Sequence, residues 1–160
     1  FMAKWPREID AGTSFTPVVH HNDIFQTIAA AGKADIPKDR KLDGFNFLPY
    51  VKGEKNGKIH QTIFWRQGHQ QTVLHNGWKL IRTNKEDQKW LFNLNEDPTE
   101  KNNLVKNFPD KVNLLDSLLD DHNSEQLKSM WPSVINSPIL IDKHFGEEYE
   151  EGDEYIYWPN

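Results

Sequence analysis

The dipeptide Asn76-Gly77 constrains this chain more than any other feature, because it sits between two runs that suit only an extended backbone. Thr72-Val73-Leu74-His75 precedes it and Trp78-Lys79-Leu80-Ile81 follows it, both rich in β-branched and aromatic side chains. Asn and Gly tolerate the positive φ that a type I′ turn needs at its two central residues, and such a turn twists in the same sense as the strands it joins. A two-residue loop then fixes the register. His75 faces Trp78 and Val73 faces Leu80 on one side of the ladder, while Leu74 faces Lys79 and Thr72 faces Ile81 on the other. The hairpin is therefore apolar on both sides. Downstream, Trp90-Leu91-Phe92-Asn93-Leu94 alternates Trp90, Phe92 and Leu94 onto one face and predicts a further strand, closed by Asn95-Glu96-Asp97-Pro98, a turn that the Asp97 side chain can hold. Upstream, Thr62-Ile63-Phe64-Trp65-Arg66 predicts another strand, linked to the hairpin by Gln67-Gly68-His69-Gln70-Gln71. Together these make an antiparallel sheet of about four strands.

Helical spacing accounts for what covers the sheet. Pro109 can occupy the first position of a helix in which Val112, Leu115, Leu118 and Leu119 form one apolar stripe, and that stripe is expected to cover one face. Ile24, Phe25, Ile28 and Ala31 recur at three- and four-residue steps, which predicts an amphipathic helix with Asn22 or Asp23 near its start and Gly32 as its stop. Ahead of it, Phe1-Met2-Ala3-Lys4-Trp5-Pro6 reads as a mostly apolar strand ended by proline. A chain seldom opens inside a buried strand, so the expectation is a C-terminal portion of a longer protein. If that strand and helix lack a parent sheet, their apolar faces should be exposed and favour self-association. Residues 39–53 form an irregular connection punctuated by Pro and Gly. The acidic run Glu147 to Glu154 reads as a solvated tail, with Tyr155-Ile156-Tyr157-Trp158-Pro159 as a final docked strand.

Composition narrows the function classes. With 160 residues, 12% aromatic content and six Trp, the chain can build a core despite a mean hydropathy of −0.79. No apolar run approaches the ~18–20 residues that a membrane span needs. The absence of Cys excludes disulfides and thiolate metal sites. Up to Arg82 there are 12 Lys and Arg against 7 Asp and Glu, and beyond it 7 against 17, so a basic half precedes an acidic one. A basic half suits an anionic substrate as well as it suits an ordinary solvated surface. The net charge of −5 argues against nucleic acid as the main partner.

Trp78-Lys79-Leu80-Ile81, Leu91-Phe92-Asn93-Leu94 and Asp97-Pro98-Thr99-Glu100-Lys101-Asn102-Asn103-Leu104, in this order and spacing, resemble the C-terminal signature of the type I, formylglycine-dependent sulfatases. These are arylsulfatase-like sulfuric ester hydrolases of the alkaline-phosphatase superfamily. Phe1 and Trp5-Pro6 resemble a late strand of the family's large domain. His21, Asp23, Ile24, Phe25 and Thr27 resemble its H-x-D-L/I-F-P-T helix, with Gln26 in place of proline, and residues 43–53 resemble its D-G-x-x-L-L-P-x-L-x-G segment. The resemblance covers about residues 1 to 115. It implies an α+β fold: a small antiparallel sheet of about four strands covered by a helix, preceded by the last strand and helix of a larger α/β sulfatase domain. On that reading residues 1–53 end the large domain, 54–125 form the C-terminal subdomain, and 126–160 are an acidic tail.

The resemblance also implies a sulfate ester as substrate, either a small molecule or a glycan, and an N-terminal sulfatase domain as partner, in a periplasmic or secreted enzyme. In that chemistry a formylglycine nucleophile is made from a C/S-x-P/A-x-R segment, and a calcium ion held by Asp and Asn polarises the sulfate. This chain has neither the segment nor an Asp-Asn pair at a strand end, so no catalytic and no metal-ligating residue is assigned within it, and the fragment alone is expected to be inactive. Candidates for substrate contact are Arg66 and His69, which bracket a Gly-containing loop where a guanidinium can pair with sulfate and an imidazole can donate, and His75. Each also has a plain alternative, a surface cation, a loop histidine or a cross-strand packing residue. His20-His21 is read as capping or packing, since adjacent side chains diverge. Two other functions stay open: a phosphate or phosphonate monoester hydrolase of the same superfamily, and a stand-alone module binding anionic glycans.

Overall fold

The computed structural model describes residues 2–84, 87–128, 130–131, 136–141, 143 and 147–159, with backbone alone at 136, 158 and 159. It divides into two compact units, residues 1–61 and 62–160.

In the second unit, β1 (Thr62–Gln67), β2 (Gln70–His75), β3 (Trp78–Thr83) and β4 (Gln88–Asn93) pair antiparallel in the order β1-β2-β3-β4. Asn76 at φ 52° and Gly77 at φ 88° make the β2–β3 turn, and every pairing anticipated for that hairpin is present. The β1–β2 link is tighter than expected. Gln67 pairs with Gln70, so the linker is a second two-residue turn, Gly68-His69, with Gly68 at φ 56°. Paired glutamines give no apolar alternation, which is why the sequence pattern under-reads both strand ends.

The register stacks side chains in columns. Phe64, Val73, Leu80 and Leu91 lie abreast on one face, and the covering helix, α3 in chain order (Pro109–Ser124), lays Val112, Leu115 and Leu119 on them to form the core. Phe64 also stacks flat on His122 at 4.0 Å. Next to that apolar column runs a polar one, Arg66, Gln71, Arg82 and Lys89. It meets the polar side of the helix: Arg82 pairs with Asp116 and Asp120 at 2.8 Å each, Lys89 also pairs with Asp116, and Asn123 donates to Gln71 Oε1 at 3.0 Å. Burial alone would raise the Asp116 carboxyl, but Lys89 and Arg82 hold it below the usual carboxylate range. The opposite face carries Ile63, Leu74 and Phe92 beside Trp65, Thr72, Ile81 and Trp90. After the helix, β5 (Asn136–Leu140) and β6 (Tyr155–Pro159) pair antiparallel as a separate two-stranded sheet. The expected last strand is thus present, but its ladder partner is β5, a segment with no alternation to announce it.

At Gly77 a Cβ would come within 2.4 Å of the Asn95 side chain, at a φ that disfavours any L side chain. Gly77→Ala is therefore expected to cost about 1–2 kcal/mol. Urea unfolding followed by far-UV circular dichroism checks this, and an unchanged midpoint would contradict it.

The first unit contains α1 (Asp23–Ala31) and the short α2 (Leu48–Val51). The segment expected as an opening strand is not one: residues 2–5 make no ladder, and the Trp5 carbonyl accepts from Glu8 N–H at 2.9 Å and Ile9 N–H at 2.8 Å. An extended segment becomes a strand only when another supplies its hydrogen bonds, and none of the described residues does so; Phe1 lies outside them. The α1 helix is amphipathic as anticipated but turned over. Asp23 and Thr27 are buried, while Phe25 is 55% and Ile28 is 65% exposed. The chain is expected to self-associate through this apolar face. Replacing both residues by serine should shift its sedimentation distribution towards monomer, and identical distributions for the two proteins would contradict the expectation.

Candidate functional site

The signature residues form a clasp around the end of the sheet. Lys79 on β3 donates to both Glu100 carboxylate oxygens, at 2.7 and 2.8 Å, and Glu100 is held at φ 57°. Asp97 Oδ2 accepts from Asn102 N–H at 2.8 Å and thereby closes the turn, as its sequence position suggested. Asn103 Oδ1 accepts from Leu91 N–H and Val105 N–H, each at 3.1 Å, which ties the loop to the outer edge of β4. Trp78 packs edge-on against Phe108 at 5.1 Å, just before the covering helix. Lys79, Asp97, Glu100, Asn102 and Asn103 are thus spent on local structure.

Of the three candidate contacts, two come together. Arg66 and His69 stand at the β1–β2 turn; His75 ends β2 at the other end of the ladder, roughly 20 Å of strand away from His69. Arg66 is exposed and one arm of its guanidinium donates to the Leu127 carbonyl at 2.9 Å. His69 Nε2–H donates to the Tyr157 carbonyl at 2.5 Å, beside Gln70 Nε2 at 3.1 Å, so these side chains fasten β6 to the turn. At His75, Asn76 Nδ2 donates to Nε2 at 3.0 Å, which leaves Nδ1–H to donate to the Thr62 hydroxyl at 2.7 Å.

The most enclosed titratable group lies in the first unit, and sequence reasoning missed its partner. Asp23 is fully buried. Its carboxylate accepts from His20 N–H at 2.7 Å, from Phe45 N–H at 2.8 Å, and from His60 Nε2 at 2.7 and 2.9 Å. Burial alone would raise this carboxyl, but the hydrogen bonds from His20, His60 and Phe45 outweigh it and hold it below the usual range. Desolvation, with His21 and His60 close by, lowers the His20 imidazole against the pull of Asp23 and Asp43. Asn22 gives no side-chain cap; Asp23, inside the helix, reaches back instead. His60 is 37 residues from Asp23, and no spacing rule links them.

Among the described residues no group of three or more His, Cys, Asp or Glu side chains converges as a metal site, and the chain has no Cys. The sequence contains no C/S-x-P/A-x-R segment from which a formylglycine could be made. A cleft of ≈ 670 Å³ lies on the sheet face away from α3. Ile81, Trp90 and Phe92 form its floor, and Ile141 and Ile156 its far wall. Among the described residues no helix is long and apolar enough to cross a membrane.

Comparison with known proteins gives a consistent result. The family described as N-sulphoglucosamine sulphohydrolase, C-terminal, matches residues 1–128. Human steryl-sulfatase is 34% identical over 61 residues, 38% of this chain and 10% of its own length. The ulvan-active sulfatase of Formosa agariphila is 23% identical in an alignment covering 89% of this chain and 36% of that protein. The solved structure of Ps i-CgsB in complex with k-i-k-neocarrahexaose shares the fold at a TM-score of 0.66 and 22% identity, over 80% of this chain and 29% of that one. The chain therefore spans between a tenth and just over a third of the length of these relatives.

Proposed function

Because the chain belongs to the N-sulphoglucosamine sulphohydrolase C-terminal family and forms the C-terminal part of a sulfatase, we propose that its parent hydrolyses sulfate esters on a saccharide chain. These residues supply a structural subdomain and one wall of the substrate pocket. The observation that carries the reading is the family match over residues 1–128, which takes in the whole signature. In the fold, that signature binds the sheet edge together and leaves no side chain poised as a nucleophile. The formylglycine and the calcium ligands then belong to an N-terminal catalytic domain. Arg66 at the β1–β2 turn is the residue to contact sulfate; His69 beside it, whose Nε2–H is held by Tyr157, can still accept from a sugar hydroxyl at Nδ1, and His75 is a separate candidate. The saccharide is favoured over a sterol because the ulvan-active relative aligns with 89% of the chain and the steryl-sulfatase with 38%. A polysaccharide does not cross a membrane unaided, so the enzyme works in the periplasm or outside the cell.

The coding sequence upstream of Phe1 tests this. It is expected to run in frame through a C/S-x-P/A-x-R segment and an Asp-Asn pair. An initiation codon directly before Phe1 would overturn the enzyme reading and leave binding of sulfated glycans as the function to examine.

A further inference from the structure

We propose that the cleft on the sheet face away from α3 is a non-catalytic binding site for an uncharged stretch of saccharide chain; this rests on the saccharide reading above. The β5–β6 hairpin makes the cleft. The family match stops at residue 128, so this wall lies outside the matched region, and it converts an otherwise open sheet face into a half-open cleft. His69 and Gln70 hold the hairpin in place through the Tyr157 carbonyl. The cleft's ≈ 670 Å³ falls within the range of small-molecule sites and is large enough for several sugar rings. Its floor, the half-buried Ile81 with the accessible edges of the buried Trp90 and Phe92, offers apolar surface to the C–H faces of pyranoses, and the rim, with Thr99 and Lys101, offers hydrogen-bonding groups to their hydroxyls.

Charge selects an uncharged ligand. Lys143 on the rim is neutralised by Glu150 at 3.0 Å and Asp153 at 2.9 Å, and Lys79 beside it by Glu100 at 2.7 Å. Among the described residues Lys101 is the remaining rim cation and Glu154 adds another carboxylate, so their anions outnumber their cations by one around the opening. A polysulfated segment is repelled there, whereas a desulfated or naturally unsulfated stretch is not. The site would hold the polymer by its neutral residues while sulfate esters are cleaved elsewhere in the parent.

The test is calorimetric titration of the full-length parent with neoagarohexaose, a neutral galactan hexasaccharide, and with a sulfated neocarrahexaose. The neutral sugar is expected to bind saturably. Thr99→Trp, at an exposed position on the rim, should weaken that binding at least roughly tenfold, and Ile141→Ser on the hairpin wall should weaken it too. Hydrolysis of a small aryl sulfate by the same variants should stay unchanged. An absence of saturable binding, equal affinity in the wild type and both variants, or tighter Thr99-sensitive binding of the sulfated sugar would overturn the cleft. If the parent releases sulfate yet neoagarohexaose does not bind, the cleft alone fails. If it releases none while Thr99-sensitive binding persists, the sulfatase reading fails and the cleft stands.

Discussion

Leu80→Ala is expected to destabilise the second unit by about 3–5 kcal/mol. Leu80 is fully buried at the centre of the register, abreast of Val73 and Leu91 and clustered with Leu115 and Leu119, which are almost as completely enclosed. Strands on both sides and a helix above leave little room for collapse, so the deletion adds a cavity cost to the lost transfer free energy. For a unit of this size each 1 kcal/mol moves the melting temperature by roughly 4–8 °C, which places the expected fall well above 10 °C. Leu114→Ala in the same helix is the control. Leu114 is 46% exposed, and its loss should stay within about 0.5 kcal/mol. Urea titration of both variants decides the matter; a Leu80→Ala effect no larger than that of Leu114→Ala would mean that this column is not the core.

Asp23→Ala is expected to cost the first unit about 3–5 kcal/mol. The substitution strips the partner from three donors at once, on His20, Phe45 and His60, and these come from three separate stretches of chain that the one carboxylate draws together. The same geometry dictates a pH dependence. Because the folded carboxyl titrates below its unfolded value of about 3.9, its contribution is complete above that value and is lost as the pH falls through the lower folded one. Asp116 and Asp97 are depressed as well, so a global acid melt mixes several groups. Protection of the Phe45 amide against hydrogen exchange is the local readout. It should fall on acidification in the wild type and should already be weak, without a further acid step, in Asp23→Asn. An acid step of the same size in Asp23→Asn would contradict the assignment.

The second unit was legible because its signals are local. Asn76-Gly77 sets its own turn, the turn sets the register, and the register puts Val73, Leu80 and Leu91 in line for a helix whose stripe is equally plain. The first unit was legible as a helix but not in its orientation. Periodicity reports that Ile24, Phe25 and Ile28 share a face; it does not report that Asp23, engaged by nearby His20 and by two distant donors on Phe45 and His60, is the side turned inward. The sites followed the same division. Arg66 and His69 could be placed together from the strand order, whereas the Asp23–His60 pair and the Lys79–Glu100 pair close over long loops that no spacing rule anticipates. The cleft's far wall includes Ile156 of β6, which pairs with β5, and a segment beginning Asn136-Ser137-Pro138 carries no strand signal of its own, since Pro removes a donor from any ladder.

The most direct measurement is release of inorganic sulfate by the full-length parent from a sulfated neocarrahexaose, read by ion chromatography beside the same assay on residues 1–160 alone and on an aryl phosphate with the parent. Sulfate released by the parent, with none from the isolated chain and little phosphate from the monoester, is the predicted result. A parent that releases phosphate and no sulfate would contradict it.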